Sequence, residues 1–232
     1  MSEPVPELVT LHLWRVPRHA VPAAVARMAA DRRPVRTAPG VRFAKLLGTG
    51  RTFAPRDADP RRWALLVSWA SREAAAAFER SAVVRRWERL AEEAWRVRMR
   101  PLAARGRWSR REPFGAPAGG RWDGPVAAVT RARLARRRRQ VFWRAVPPVS
   151  ADLDGSPGLR LSLGIGEAPV GLQGTFSLWE SGAALRSFAY GGAVHRAVVE
   201  RTPREGWYAE ELFARFAVEG AEGSVDGRDP LA

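Results

Sequence analysis

No cysteine occurs anywhere in the 232 residues. Disulfides, thiolate-ligated metal centres, iron–sulfur clusters and cysteine zinc sites are therefore excluded from this chain, and the composition suits a reducing cytoplasm. No apolar run approaches the roughly 18–20 residues a membrane span requires. The opening MSEPVPELV also lacks the basic-then-apolar layout of a secretion signal. A soluble, cytoplasmic protein is expected. Lysine is almost absent: Lys45 stands alone against 38 arginines, in a chain of net charge +15. Clustered arginine neutralises phosphate, but these arginines are spread along the length, so nucleic-acid binding is not expected. The charge instead favours acidic partners, among them an electron-donating protein or an anionic membrane surface.

What is present is a repeat. Residues 8–16 (LVTLHLWRV) predict a strand, 20–30 an amphipathic helix, and 41–47 a second strand entered through the Pro39-Gly40 turn and left at Gly48-Thr49-Gly50. WALLVSW (63–69) predicts a third strand, Ser71 caps a long helix running to about residue 91, and Trp95, Val97 and Met99 alternate with arginines in a fourth strand. The order strand, helix, strand, strand, helix, strand is that of a ferredoxin-like unit. Residues 105–125 shift to Gly, Pro and Arg and read as a linker. The pattern then restarts, with a strand at 126–134 and a helix at 136–146. Pro157-Gly158, Leu163-Gly164-Ile165-Gly166, Trp179, Ser181 and Phe188 repeat Pro39-Gly40, Leu47-Gly48-Thr49-Gly50, Trp69, Ser71 and Phe78. Each unit alone exposes an apolar sheet face, so the two should close on each other. The expected fold is α+β: tandem ferredoxin-like repeats, 1–104 and 126–220, forming a dimeric α+β barrel within one chain, with a tail at 221–232.

The second copy differs from the first around His195. Its anchors are about eight residues further apart, and His195 falls where the first copy has Val84 or Arg85. Val194, Val198 and Val199 place it beside an apolar helical face. A lone histidine there is commonly a satisfied core residue, but a fold that needs no histidine in one copy does not need it in the other. A ligand role follows as the hypothesis, His195 being the axial donor to the iron of haem b. Phe142, Phe176, Phe188 and Trp207 are candidates to line an apolar slot for it, as are Trp143, Tyr190 and Phe213. On GLQGTFSLW, Gln173, Thr175 and Ser177 share one strand face and are candidate catalytic residues on the distal side. Glu210 or Glu211 could orient the imidazole, although the first copy carries the same Ala-Glu-Glu, which favours a structural role.

Phe142-Trp143, Val146-Pro147, GIGEAPVGLQGTFSLW (164–179), Phe188-Ala189, His195 and WYAEELFARF (207–216) together resemble the spheroidene monooxygenase family, closely over 126–218 and more loosely over 9–99. The resemblance implies a haem-dependent monooxygenase that takes electrons from a ferredoxin-type donor. It would insert oxygen into an apolar polyene, a carotenoid or another secondary metabolite. The architecture resembles that of chlorite dismutase and aldoxime dehydratase, in which a histidine of the C-terminal half ligates iron; His195 matches that role. Rival readings are a haem peroxidase, a dehydratase acting on a nitrogen–oxygen bond, a non-enzymatic haem-binding protein, and a cofactor-free barrel with an apolar pocket. Homo-oligomers and peripheral membrane contact are compatible with every one of these.

Overall fold

The computed structural model describes residues 3–51, 57–134, 153, 155–167, 174–191 and 208–232. Strands β1 (Leu8–Arg15), β2 (Val41–Gly50), β3 (Ala58–Trp69), β4 (Glu93–Gly106), β5 (Val126–Leu134), β6 (Leu159–Gly166), β7 (Gly174–Trp179) and β8 (Tyr208–Gly223) close one antiparallel barrel in the order β1-β3-β2-β6-β7-β5-β8-β4. Each copy contributes four strands, read β4-β1-β3-β2 and β8-β5-β7-β6, so the ring has the expected pseudo-twofold. Its two seams join like with like. At one seam Gly48 pairs with Gly166 and Gly50 with Gly164; at the other Trp95 pairs with Gly223 and Gly106 with Leu212.

Alternation along the strands separates two cores. Val9, Leu11, Leu13, Val97, Phe176, Leu178 and Phe216 fill the barrel interior. The opposite faces of β1 and β3 carry Trp14, Trp63, Leu65, Val67 and Trp69, which pack under α1 (Val21–Ala30), α2 (Arg32–Arg36), α3 (Arg72–Glu79) and α4 (Ala82–Leu90). Burial on both faces explains why WALLVSW reads as nearly continuous. In the second copy α5 (Gly182–Gly191) packs on Trp179 in a smaller cluster. No helix among the described residues is long and apolar enough to cross a membrane.

The structure corrects several expectations. The long helix after Ser71 is two helices, because Ser81 accepts a second N-cap hydrogen bond from the Val84 N–H, as Ser71 does from Ala74. β3 begins at Ala58, before Trp63, and β4 continues past Pro101 to Gly106. The helix expected at 136–146 lies outside the described residues. The stretches read as linker and tail match each other. Each opens on a glycine at positive φ, Gly106 at +89° and Gly223 at +93°, and makes a tight turn bridged Trp108 to Arg111 or Val225 to Arg228. Trp108 and Val225 are both buried in the barrel core, as is Phe114.

These glycines let the facing strand approach: a Cβ would sit 2.2 Å from the Glu211 carbonyl at Gly106 and 2.1 Å from the Ala94 carbonyl at Gly223. Gly223→Ala is therefore expected to lower the unfolding free energy by about 2–4 kcal/mol, from backbone strain plus the clash. Urea denaturation measures this, and a loss below about 0.5 kcal/mol, the level of an ordinary surface substitution, would contradict the assignment.

Candidate cofactor face of the second copy

β7 pairs with β5 as β3 pairs with β1, Trp179 opposite Val126 and Trp69 opposite Leu8. The outward positions of the two copies can therefore be compared one by one. Leu65 and Val67 of β3 become Thr175 and Ser177 of β7. Thr10, His12 and Trp14 of β1 become Ala128, Thr130 and Ala132 of β5. In the first copy all five of these side chains are buried. In the second, Ala128, Thr130, Ala132 and Thr175 are only half-buried and Ser177 is buried. The second copy thus loses an indole, an imidazole, two branched aliphatic side chains and one hydroxyl from its outer face and gains three hydroxyls. Among the described residues, positions that the first copy fills with large side chains carry small or hydroxylated ones in the second, a face suited to a flat apolar group approached by hydroxyl donors. The residues present fit a haem in this respect.

The expected site residues divide. Thr175 and Ser177 lie on this face. Ser177 has a further role: the Trp179 indole N–H donates to its Oγ at 2.9 Å, taking the part that Thr10 plays for Trp69 in the first copy, also at 2.9 Å. Phe188 on α5 packs against Trp179 at 5.3 Å between ring centroids, and Phe78 against Trp69 at 5.1 Å. The contact belongs to the repeat and is not peculiar to the second copy. Phe176 is a correction. It is fully buried inside the barrel against Trp95, at 6.3 Å, on the opposite side of β7 from Thr175 and Ser177, so it cannot share a slot with them. Gln173, His195, Phe142 and Trp207 lie outside the described residues.

A second cluster, at one mouth of the barrel, holds Glu210 in a structural role and joins it to residues that the sequence does not single out as a site. Arg131, 4% exposed, occupies on β5 the interior position that Leu13 holds on β1. It pairs with Glu210 and, at 3.1 Å, with Glu167, and its guanidinium lies 5.4 Å from the Trp108 ring. Glu167 also accepts from Lys45 Nζ at 2.7 Å and from the Trp108 indole at 2.6 Å. Burial would raise both carboxyls, but Lys45 and Trp108 hold Glu167 below the usual carboxylate range. The Arg110 N–H, Arg131 and the Ser109 N–H do the same for Glu210. Glu210 is thus committed to the turn after β4, as Glu93 is to the turn after β8 through the Gly227 N–H and Ser224. Beside the repeated Ala-Glu-Glu, the sign in the sequence is Lys45, the sole lysine where arginine is otherwise universal.

No family model matches the chain. It is 36% identical over 221 residues to the spheroidene monooxygenase of Rhodobacter capsulatus, covering 92% of this chain and 90% of that protein. It is 39% identical over 206 residues to the spheroidene monooxygenase of Rubrivivax gelatinosus, covering 87% and 78%. Among solved structures, an aldoxime dehydratase matches with a TM-score of 0.58 at 13% identity, over 94% of this chain and 84% of that one, a likeness of fold alone. Identity at this level along nearly the whole length shows that the chain belongs to the spheroidene monooxygenase family.

Proposed function

We propose that the protein is a haem-dependent monooxygenase acting on an apolar polyene of the carotenoid class, with the haem against the outer face of β5 and β7 and His195 as its axial ligand. Family membership supports the monooxygenase class and the carotenoid substrate. The cofactor rests on one observation, the replacement of Trp14, Leu65 and Val67 by Ala132, Thr175 and Ser177 at matched positions of a duplicated sheet. Bound haem would supply the oxygen chemistry, its electrons coming from a ferredoxin-type donor. The chain's own residues do the rest. Thr175 and Thr130 offer hydroxyls to a ligand on that face, Ser177 fixes Trp179 at its edge, and Gln173 is the candidate for the same row.

Purified protein given dioxygen, reduced ferredoxin and a linear carotene should yield a product one oxygen heavier, the atom coming from labelled dioxygen. Turnover only with peroxide, and no oxygen incorporated, would favour a peroxidase instead. A second test restores the first copy's residue. Thr175→Leu should keep the fold and the thermal midpoint while weakening haem uptake by about tenfold or more. Undiminished uptake in a folded Thr175→Leu protein would move the cofactor elsewhere.

A further inference from the structure

We propose that the α1–α2 face of the first copy, with the cationic cleft beside it, docks the protein on an anionic lipid surface. Two independent features meet at α2. The first is the outer arc of α1: Pro22, Ala23, Val25, Ala26, Ala29 and Ala30 are all exposed, and no charged or hydrogen-bonding side chain interrupts them. At the helical repeat they span about 160° of the circumference. Val25, 42% exposed, is one of two large hydrophobic side chains left in solvent among the described residues. The second is a cleft of about 500 Å³ lined by Arg32, Arg36, Arg42, Lys45 and Arg111, with Glu167 the one acid among the described lining residues.

Part of that charge is already compensated. Lys45 is paired with Glu167, and Arg111 makes two bonds to Glu3 at 2.8 and 2.9 Å. Arg42 donates to the Pro4 carbonyl and its charge also acts on Glu3, whereas Arg32 and Arg36 are exposed on α2 with Arg33 between them. Arg32 and Arg36, which form no ion pair among the described residues, stand beside a helix arc with nothing to hydrogen-bond, and together they match phosphate headgroups above an apolar layer. An acidic protein partner fits less well, since the α1 arc would meet its polar rim without a donor or acceptor. The purpose of docking, access to a polyene dissolved in lipid, rests on the function proposed above; the docking itself does not.

The test is co-sedimentation of the full-length protein with vesicles of phosphatidylglycerol mixed with phosphatidylcholine, and with phosphatidylcholine alone. Binding is expected to the first and not the second, and to weaken by about tenfold or more in Arg32→Glu/Arg36→Glu. Val25→Asp should also weaken it. A charge-matched control, Arg121→Glu/Arg228→Glu, reverses two exposed arginines elsewhere and should bind like the unaltered chain. Equal loss in the control would reduce the effect to bulk charge and overturn the proposal. So would full release by millimolar inorganic phosphate, which would mark a site for small anions, or binding to an acidic protein with none to anionic vesicles. Haem content and oxygenation are read separately, so a protein that docks yet inserts no oxygen counts against the proposed function and not against docking.

Discussion

Arg131→Leu should destabilise the protein by about 3–5 kcal/mol, the cost of stripping one partner from a buried ion pair. Leucine is the residue of the equivalent position in the first copy, Leu13, so shape alone would predict a mild change. The charge decides otherwise. The Glu210 side chain is 8% exposed and that of Arg131 5%, so the substitution leaves a carboxylate enclosed without its cation. The backbone N–H groups of Ser109 and Arg110 still reach Glu210 and keep it from being fully orphaned. Adding Glu210→Gln to Arg131→Leu should recover part of the loss, because the stranded charge is then gone. The deficit should also narrow in acid: Glu210 titrates below the usual range in the native protein, so the pair's contribution is present at neutral pH and lost as pH falls through that lowered value. Urea unfolding of the two variants measures all three effects. A loss below about 1 kcal/mol in Arg131→Leu would mean that the pair is not buried as described.

His12 should make stability fall as the solution is acidified, well before most carboxylates respond. Its ring is buried beside Trp14, 5.4 Å between centroids, and its Nε2 has no hydrogen-bond partner among the described residues. Burial, with the nearby charges of Arg96 and Arg98, pushes its pKa from 6.5 down to about 3. The folded value lies below the unfolded one, so the unfolded chain takes up the proton first. The stabilisation is whole above about pH 6.5 and shrinks as pH drops toward 3. Each pH unit inside that window costs about 1.4 kcal/mol, hence about 4–5 kcal/mol across it. His12→Phe fits the same aromatic stack without a titrating nitrogen. Its unfolding free energy should change less between pH 6.5 and 5 than that of the unaltered protein, by about 2 kcal/mol. Parallel pH slopes for the two proteins would contradict a neutral, enclosed His12.

The repeat was legible because its punctuation has mechanical causes. The Gly-x-Gly pairs recur since they meet each other across the β2·β6 seam, Gly48 on Gly166 and Gly50 on Gly164. Ser71 and Ser181 recur since each caps the helix that follows, by way of Ala74 and Ala184. Other features resist a linear reading. Alternation sets Phe176 opposite Gln173, Thr175 and Ser177 on the strand, but only closure of the ring shows which of the two faces points inward. Trp108 and Phe114 sit in a stretch with no period because a tight turn, and not a regular element, carries them into the core. The cluster of Lys45, Arg131, Glu167 and Glu210 draws on four distant segments, and only closure of the ring brings them together. Comparing the two copies position by position is what exposed both the thinned face at Thr175 and the replacement of Leu13 by Arg131.

The central claim, that the second copy gave up its own packing to hold an iron porphyrin on His195, is tested most directly by absorption spectroscopy of three purified proteins. The unaltered chain and His12→Phe should both carry a Soret band. His195→Ala should remain folded and lose the band. Haem retained at the unaltered level in His195→Ala would contradict the account.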